Sequence, residues 1–281
     1  MPLSINTNIA SMTAQRSFLN SNQALETSFE RLSTGKRVNS AVDDAAGLAI
    51  GKDLDSRVRG LNQAVRNVND GISMVQIMEG AYDEVTTILQ RMRDLAVQAA
   101  TGSMTSTERD FLDAEHSKLA DAIDSVMNQA KFANKDLAVA NANTSVVIHS
   151  GAEAGDTITV TLSTTNSEDA DGMGIDASDI TLNGNSAVAN ATSAIGHIDD
   201  ALNQVATQRA ALGASQSQLE AVVRNLANVA ENTSAAAGRV MDTDYASETA
   251  NLTKAQILQQ AATSILAQAN AQPQAVLALL Q

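Results

Sequence analysis

Residues 61–99 read LNQAVRNVNDGISMVQIMEGAYDEVTTILQRMRDLAVQA, and the spacing of their apolar positions decides the fold. Leu61, Val65, Val68, Ile72, Val75, Glu79, Tyr82, Val85, Leu89, Met92, Ala96 and Ala99 follow one another at steps of three and four. That alternation holds one stripe on one side of a helix, so the segment demands a partner helix along its length. A second series runs near the other end, through Ala191, Ile195, Ile198, Leu202, Val205, Arg209, Leu212, Gln216, Leu219, Val223, Leu226, Ala230, Thr233, Ala237 and Val240. The two segments are natural partners for each other.

Outside them lie two thinner stripes. Ile5, Ile9, Met12, Leu19, Leu25, Phe29 and Leu32 predict a first helix from about Ile5 to Leu32, and Leu252, Ala255, Leu258, Ala262, Ile265 and Ala269 predict a last one past Asp242. Both are too sparsely apolar to be stable as an isolated pair, so their further burial has to come from other copies or another partner. Gly35 and Asn39-Ser40 interrupt the first helix, and Asp43-Asp44 place carboxylates where the next one begins. That long helix runs to about Ala100. Thr105 to Glu108 spell a capping box that opens a shorter helix through about Ala130.

From Asn141 the composition changes. Val146-Val147-Ile148 and the run from Thr157 to Leu162 read as strands, with Ile180-Thr181-Leu182 as a further short one. The expected fold is mainly α: a long antiparallel helical coiled-coil bundle built from both chain halves, with a small β-hairpin-containing insertion. Its expected parts are terminal helices at 1–40 and 242–281, a helical bundle at 41–140 and 190–241, and a β-rich insertion at 141–189.

Composition narrows the function. With two Tyr, four Phe and no Trp among 281 residues, burial depends on Ala, Val, Leu, Ile and Met on closely approaching helices. A formal charge of −14 without a basic run argues against nucleic acid and against an anionic membrane surface. Cysteine is absent, which excludes disulfides, thiol nucleophiles and thiolate metal sites. His116, His149 and His197 are scattered, with no H-E-x-x-H pairing, so no zinc ligand set is expected. The stretch from Asp169 to Asp176 has Ile180 where a calcium loop needs its bidentate Glu, and reads instead as a flexible acidic turn. Neither a dinucleotide fingerprint nor a nucleophile elbow is found, so no enzyme, catalytic residue or cofactor is expected. The first thirty residues lack the pattern of a cleaved secretory signal. That predicts either a cytoplasmic chain or a dedicated export route without one.

Particular motifs now add a family. Ile5-Asn6-Thr7-Asn8, the run from Arg31 to Ile50 (RLSTGKRVNSAVDDAAGLAI) and Gly60-Leu61-Asn62-Gln63-Ala64 resemble the N-terminal half of bacterial flagellin. Asp244-Tyr245-Ala246, the run from Lys254 to Ala261 and Val276-Leu277-Ala278-Leu279-Leu280 resemble its C-terminal half. The resemblance implies a secreted, self-assembling subunit of the extracellular flagellar filament, a homopolymer exported unfolded by the flagellar type III route and added beneath a cap protein. It implies further partners: an export chaperone and the hook-filament junction proteins. The paired terminal helices would form an inner tube and the long helices a surrounding shell. Self-assembly would then rest on Ile5, Ile9, Met12, Leu252, Leu258, Ile265, Val276, Leu277, Leu279 and Leu280.

The segment from Leu89 to Gln98 also resembles the family's L-Q-R-x-R-E-L-A-x-Q, with Asp94 in place of Glu. It implies recognition by the innate receptor Toll-like receptor 5 through Arg91, Leu95 and, on the shorter helix, Glu115. Arg91 and Leu95 are expected off the buried stripe. A hook-filament junction protein and a flagellin-like surface-binding protein remain the alternatives.

Overall fold

The computed structural model describes residues 7–138, 144–163, 182 and 187–279. The chain runs α1 (Ile9–Thr34), α2 (Ala45–Ala99), α3 (Ser106–Gln129), β1 (Lys131–Phe132), β2 (Lys135–Asp136), β3 (Thr144–His149), β4 (Thr157–Ser163), α4 (Ala187–Met241) and α5 (Tyr245–Leu279). It divides into two compact units, Met1–Arg57 with Glu231–Gln281, and Val58–Ala230. The fold is mainly helical with a small antiparallel β part, as the two heptad series imply.

In the Val58–Ala230 unit the seam of α2 is buried at Leu61, Val68, Val75, Tyr82, Val85, Leu89, Met92, Ala96 and Ala99. One position departs from the sequence reading. Met78 is fully buried where Glu79 was expected, and Glu79 is exposed. Val75, Met78 and Tyr82 keep steps of three and four, whereas Glu79 stands about 100° further round the helix, where its carboxylate stays hydrated. Along α4 the buried set is Ala191, Ala194, Ile198, Ala201, Val205, Leu212, Leu219, Leu226 and Ala230. Arg209 and Gln216, at seam positions, are half-buried.

α3 starts at the expected capping box: Glu108 N donates to Thr105 Oγ1 (3.4 Å), and Thr105 N donates to Glu108 Oε2 (2.8 Å). These bonds hold the Glu108 carboxyl below its usual range. Arg109 then ties the start of α3 to the end of α2, donating to the carbonyls of Ala99 (3.0 Å) and Thr101 (2.9 Å). α3 is followed by a two-residue-strand hairpin whose corner residues, Ala133 and Asn134, both have positive φ (48° and 65°). Such φ values match the twist of paired strands.

β3 and β4 pair antiparallel, with Val146 opposite Val160 and Ile148 opposite Ile158. Val146, Ile148, Val160 and Leu162 are buried, while Val147 is 63% exposed, as period-2 alternation requires. The hairpin lies on α2. Asn67 Nδ2 donates to the His149 carbonyl (3.3 Å), and a Cβ at Gly71 would collide with Ile148 Cδ1. The strand expected at Ile180–Leu182 and the acidic turn from Asp169 to Asp176 lie outside the described residues, except for Leu182, which is buried.

In the other unit α1 packs on α5. α1 begins at Ile9 rather than Ile5 because Asn8 caps it, its side chain accepting from Ser11 N at 3.0 Å. It ends at Gly35, which has φ 71°, the left-handed conformation glycine adopts at least cost. Asp43 and Asp44 divide the work of starting α2. Asp43 Oδ2 holds the preceding turn through Ser40 N (2.9 Å), Ser40 Oγ (3.0 Å) and Asn39 N (3.2 Å), bonds that lower its carboxyl pKa. Asp44 Oδ1 accepts from Gly47 N (2.8 Å). Where the chain leaves α1 and re-enters α5, Lys36 bridges Asp242, Arg37 N donates to the Met241 carbonyl (2.7 Å), and Thr243 N donates to that of Gly35 (3.0 Å).

Candidate assembly and recognition surfaces

The seam between α1 and α5 alternates small or polar side chains with a few large apolar ones. On α1 it comprises Ser11, Ala14, Phe18, Ser21, Leu25, Ser28 and Leu32, of which Ser11, Ala14 and Ser28 are buried and the rest half-buried. On α5, Glu248, Ala255, Ala262 and Ala269 are buried at seven-residue intervals, with half-buried Leu252, Gln259 and Leu266 between them. Both follow the heptad alternation. Phe18, Leu25, Leu32, Leu252 and Leu266 are the large apolar residues within the seam.

Most of the other large apolar residues face outward. Ile9 (68% exposed), Met12 (57%), Leu19 (60%) and Phe29 (52%) line the outside of α1, and Tyr245 (56%), Ile257 (61%), Leu258 (48%) and Ile265 (55%) that of α5. Of the residues expected to carry self-assembly, Ile9, Met12, Leu258 and Ile265 are therefore exposed, whereas Leu252 belongs to the seam. Val276, Leu277 and Leu279 lie on α5, and Ile5 and Leu280 fall outside the described residues. Ile257 and Tyr245 were missed by the sequence reading because they stand off the single stripe it followed.

Across the seam runs a series of polar contacts. Ser28 Oγ donates to Glu248 Oε1 (2.6 Å), Gln259 Nε2 to Asn22 Oδ1 (2.6 Å), Ser11 Oγ to Asn270 Oδ1 (2.8 Å) and Asn8 Nδ2 to the Ala269 carbonyl (2.8 Å). Glu248 is only 6% exposed. Arg31 Nη1 stands 3.7 Å from Glu248 Oε2, while Arg31 Nε is buried without a hydrogen-bond partner among the described residues.

The second surface lies on α2 and α3. Arg91 donates from both Nε (3.0 Å) and Nη2 (2.6 Å) to Glu115 Oε1, and both side chains are exposed. Leu95 differs from expectation: it is 1% exposed and belongs to the core. It sits next to Ala96 and three residues after Met92, so α2 buries a broader arc here than one heptad stripe, as a helix with more than one neighbour must. Arg91 and Glu115 form an accessible pair, and Leu95 does not share that surface.

Among the described residues no group of three His, Cys, Asp or Glu is placed to hold a metal ion, and no helix is long and apolar enough to cross a membrane.

An antiparallel pair of terminal helices that leaves so many large apolar residues exposed is suited to packing against further helices. Comparison with known proteins gives the family. Residues 5–144 match the bacterial flagellin N-terminal helical region, and residues 195–280 match the bacterial flagellin C-terminal helical region. A flagellin of Halalkalibacterium halodurans is 42% identical over 278 residues, covering 99% of each chain. Flagellin A of Vibrio anguillarum is 34% identical over 379 aligned positions, covering 100% of each. Among solved structures, one assigned to a flagellar hook-associated protein of Vibrio parahaemolyticus shares the fold, with a TM-score of 0.59 at 16% identity, covering 71% of this chain and 100% of that one. The chain belongs to the bacterial flagellin family and is a structural subunit of the extracellular flagellar filament.

Proposed function

We propose that the terminal helices, residues 1–40 and 242–281, build the inner tube of the filament by packing their exposed apolar residues against neighbouring copies. The bundle of 41–140 and 190–241 forms the surrounding shell, and 141–189 is the variable outer insertion. One observation carries this reading: in the α1–α5 pair the buried positions are Ala, Ser and Glu248, while Phe29, Leu19, Ile257 and Ile265 stay in water. Fully burying a side chain of that size contributes about 1.5–3 kcal/mol, so packing copies together recovers what a single chain forgoes.

The subunit passes unfolded through the flagellar type III route, accompanied by an export chaperone, and joins the filament beneath the cap protein and beyond the hook-filament junction proteins. A chain without cysteine suits such passage, having no thiol to crosslink on the way. The role is structural, without a catalytic step. In the monomer the Arg91–Glu115 surface is the site offered to Toll-like receptor 5. Seeded elongation of purified protein, followed by helical reconstruction, tests the assembly: continuous filaments with α1 and α5 lining the bore are expected, and a protein that only caps seeds is instead a junction protein.

A further inference from the structure

The apolar content of the α1–α5 seam does not fix its own register. Moving α5 along α1 by seven residues exchanges Ala255, Ala262 and Ala269 with one another, and on α1 it exchanges Ala14, Ser21 and Ser28 in one row and Phe18, Leu25 and Leu32 in the other. Within each row the exchanged residues are of similar size, so large still meets small after the slip and the apolar part of the seam is close to degenerate in register.

The polar contacts are not degenerate. At the observed register Asn22 meets Gln259 and Glu248 lies between Ser28 and Arg31. A one-heptad slip in one direction sets Asn22 against Leu252 and brings Glu248 beside Ser21 and Ala24, with no cation to answer it. A slip in the other sets Asn22 against Leu266 and carries Glu248 past the end of α1 at Gly35. Each alternative leaves the half-buried Asn22 amide facing a leucine, and the first also leaves the Glu248 carboxylate without its cation, penalties the apolar seam does not offset.

We infer that the Asn22–Gln259 and Ser28–Glu248–Arg31 contacts are the specificity determinants of the terminal pair: they select one register and so decide which large residues of α1 and α5 share the outer, copy-binding face. This rests on the assembly reading above. A polar group at a coiled-coil seam that sets register at some cost in stability is the best-attested use of such residues. The stability of the pair comes from burial in the polymer, and the polar contacts supply its geometry.

The absence of native cysteine makes a disulfide test clean. Ser11→Cys with Asn270→Cys reports the observed register, because the two side chains are hydrogen-bonded; Ser11→Cys with Thr263→Cys reports a one-heptad slip. Each pair is placed in the full chain, alone and with Ser28→Ala/Glu248→Leu, and separately with Asn22→Leu/Gln259→Leu. Oxidation is followed in monomer and in seeded filament. On the parent background only the first pair should crosslink. With either polar contact removed, the ratio of observed to slipped crosslink should fall roughly tenfold or more, in line with losing a hydrogen bond to a charged or buried group, and elongation should slow. Glu248→Gln, which keeps an acceptor for Ser28, should retain the parental ratio more fully than Glu248→Leu.

An unchanged ratio in both double variants overturns the inference. Loss of both crosslinks with intact helicity also overturns it, since the contacts would then hold the pair together rather than choose its register. Ile265→Asp separates the inference from the assembly reading: it should keep the observed crosslink while losing elongation, whereas normal elongation would count against the outer face and leave the crosslink result standing on its own.

Discussion

Arg93 Nε on α2 donates to Asp199 Oδ1 on α4 at 2.7 Å, and ten residues away along each helix the charges are reversed, with Arg209 Nη1 3.0 Å from Asp83 Oδ1. One offset satisfies both pairs, and a heptad slip would satisfy neither. Arg93, Asp199 and Arg209 are half-buried and Asp83 is exposed, so water still screens both pairs and their use is in choosing the alignment of α2 and α4 more than in stabilising it. Arg93→Asp alone should lower the melting temperature slightly and add a population with altered helix alignment. Arg93→Asp with Asp199→Arg should restore both, as read by thermal melting and cysteine crosslinking between α2 and α4.

Leu89 is fully buried at the centre of the α2 seam. Leu89→Ala should cost about 2–5 kcal/mol in denaturant unfolding, from lost transfer energy and the cavity left behind. Leu89→Asp places an unpaired charge there and should leave little of a typical 5–15 kcal/mol. A melting curve identical to the parent's for either variant rejects the seam assignment.

Phe29→Asp and Ile265→Asp change side chains that are 52% and 55% exposed. Circular dichroism and melting of the monomer should stay within about 0.5 kcal/mol of the parent, as for other surface changes. Seeded elongation should stop, because each charge would have to enter a contact between copies. Filaments of normal yield from both variants would show that these faces are not joined.

His116 is 1% exposed, and its Nε2 has no hydrogen-bond partner among the described residues. Burial pushes its pKa below the usual 6.5, with Asp113 opposing. The unfolded chain therefore takes up the proton first. The contribution is fully present above pH 6.5 and is lost progressively as pH falls through that value toward the depressed folded pKa. His116→Leu should flatten this part of the stability profile between about pH 7 and 5. An equally steep profile in the variant would assign the acid sensitivity to carboxylates instead.

Arg91→Ala removes an exposed guanidinium that makes two hydrogen bonds to Glu115 and fills no core volume. Receptor signalling by monomer should weaken while the fold is kept, since a fork of this kind is hard to replace at an interface. Cell-reporter titration of parent and variant decides it, with equal potency meaning that the receptor does not read Arg91.

The long helices were legible because a coiled-coil seam repeats, and Val68, Val75, Leu212 and Leu219 sit where the repeat puts them. Met78 was lost to Glu79 because two residues one step apart both satisfied the count, and only hydration chooses between them. The terminal helices show the limit more clearly. The expected stripes mix two faces: Leu25, Leu32, Leu252, Ala255, Ala262 and Ala269 lie in the seam, whereas Ile9, Met12, Leu19, Phe29, Leu258 and Ile265 are exposed, and hydrophobicity alone cannot tell a face that meets the chain's own helix from one that meets something else. Leu95 was misplaced for a related reason, because a stripe drawn for one neighbour ignores the second. The β1–β2 hairpin was missed because its turn is Ala133-Asn134 rather than the Asn-Gly that announces such corners.

The link at Gly35 to Thr243 has a mechanical meaning. The strands leaving α1 and entering α5 cross side by side and are stitched by Arg37 N to the Met241 carbonyl, Thr243 N to the Gly35 carbonyl and Arg37 Nη2 to the Val240 carbonyl (2.8 Å). A pull on either terminal helix is shared at once with the other, as by a yoke. Neither helix can be twisted out of step with its mate at this end unless those hydrogen bonds break.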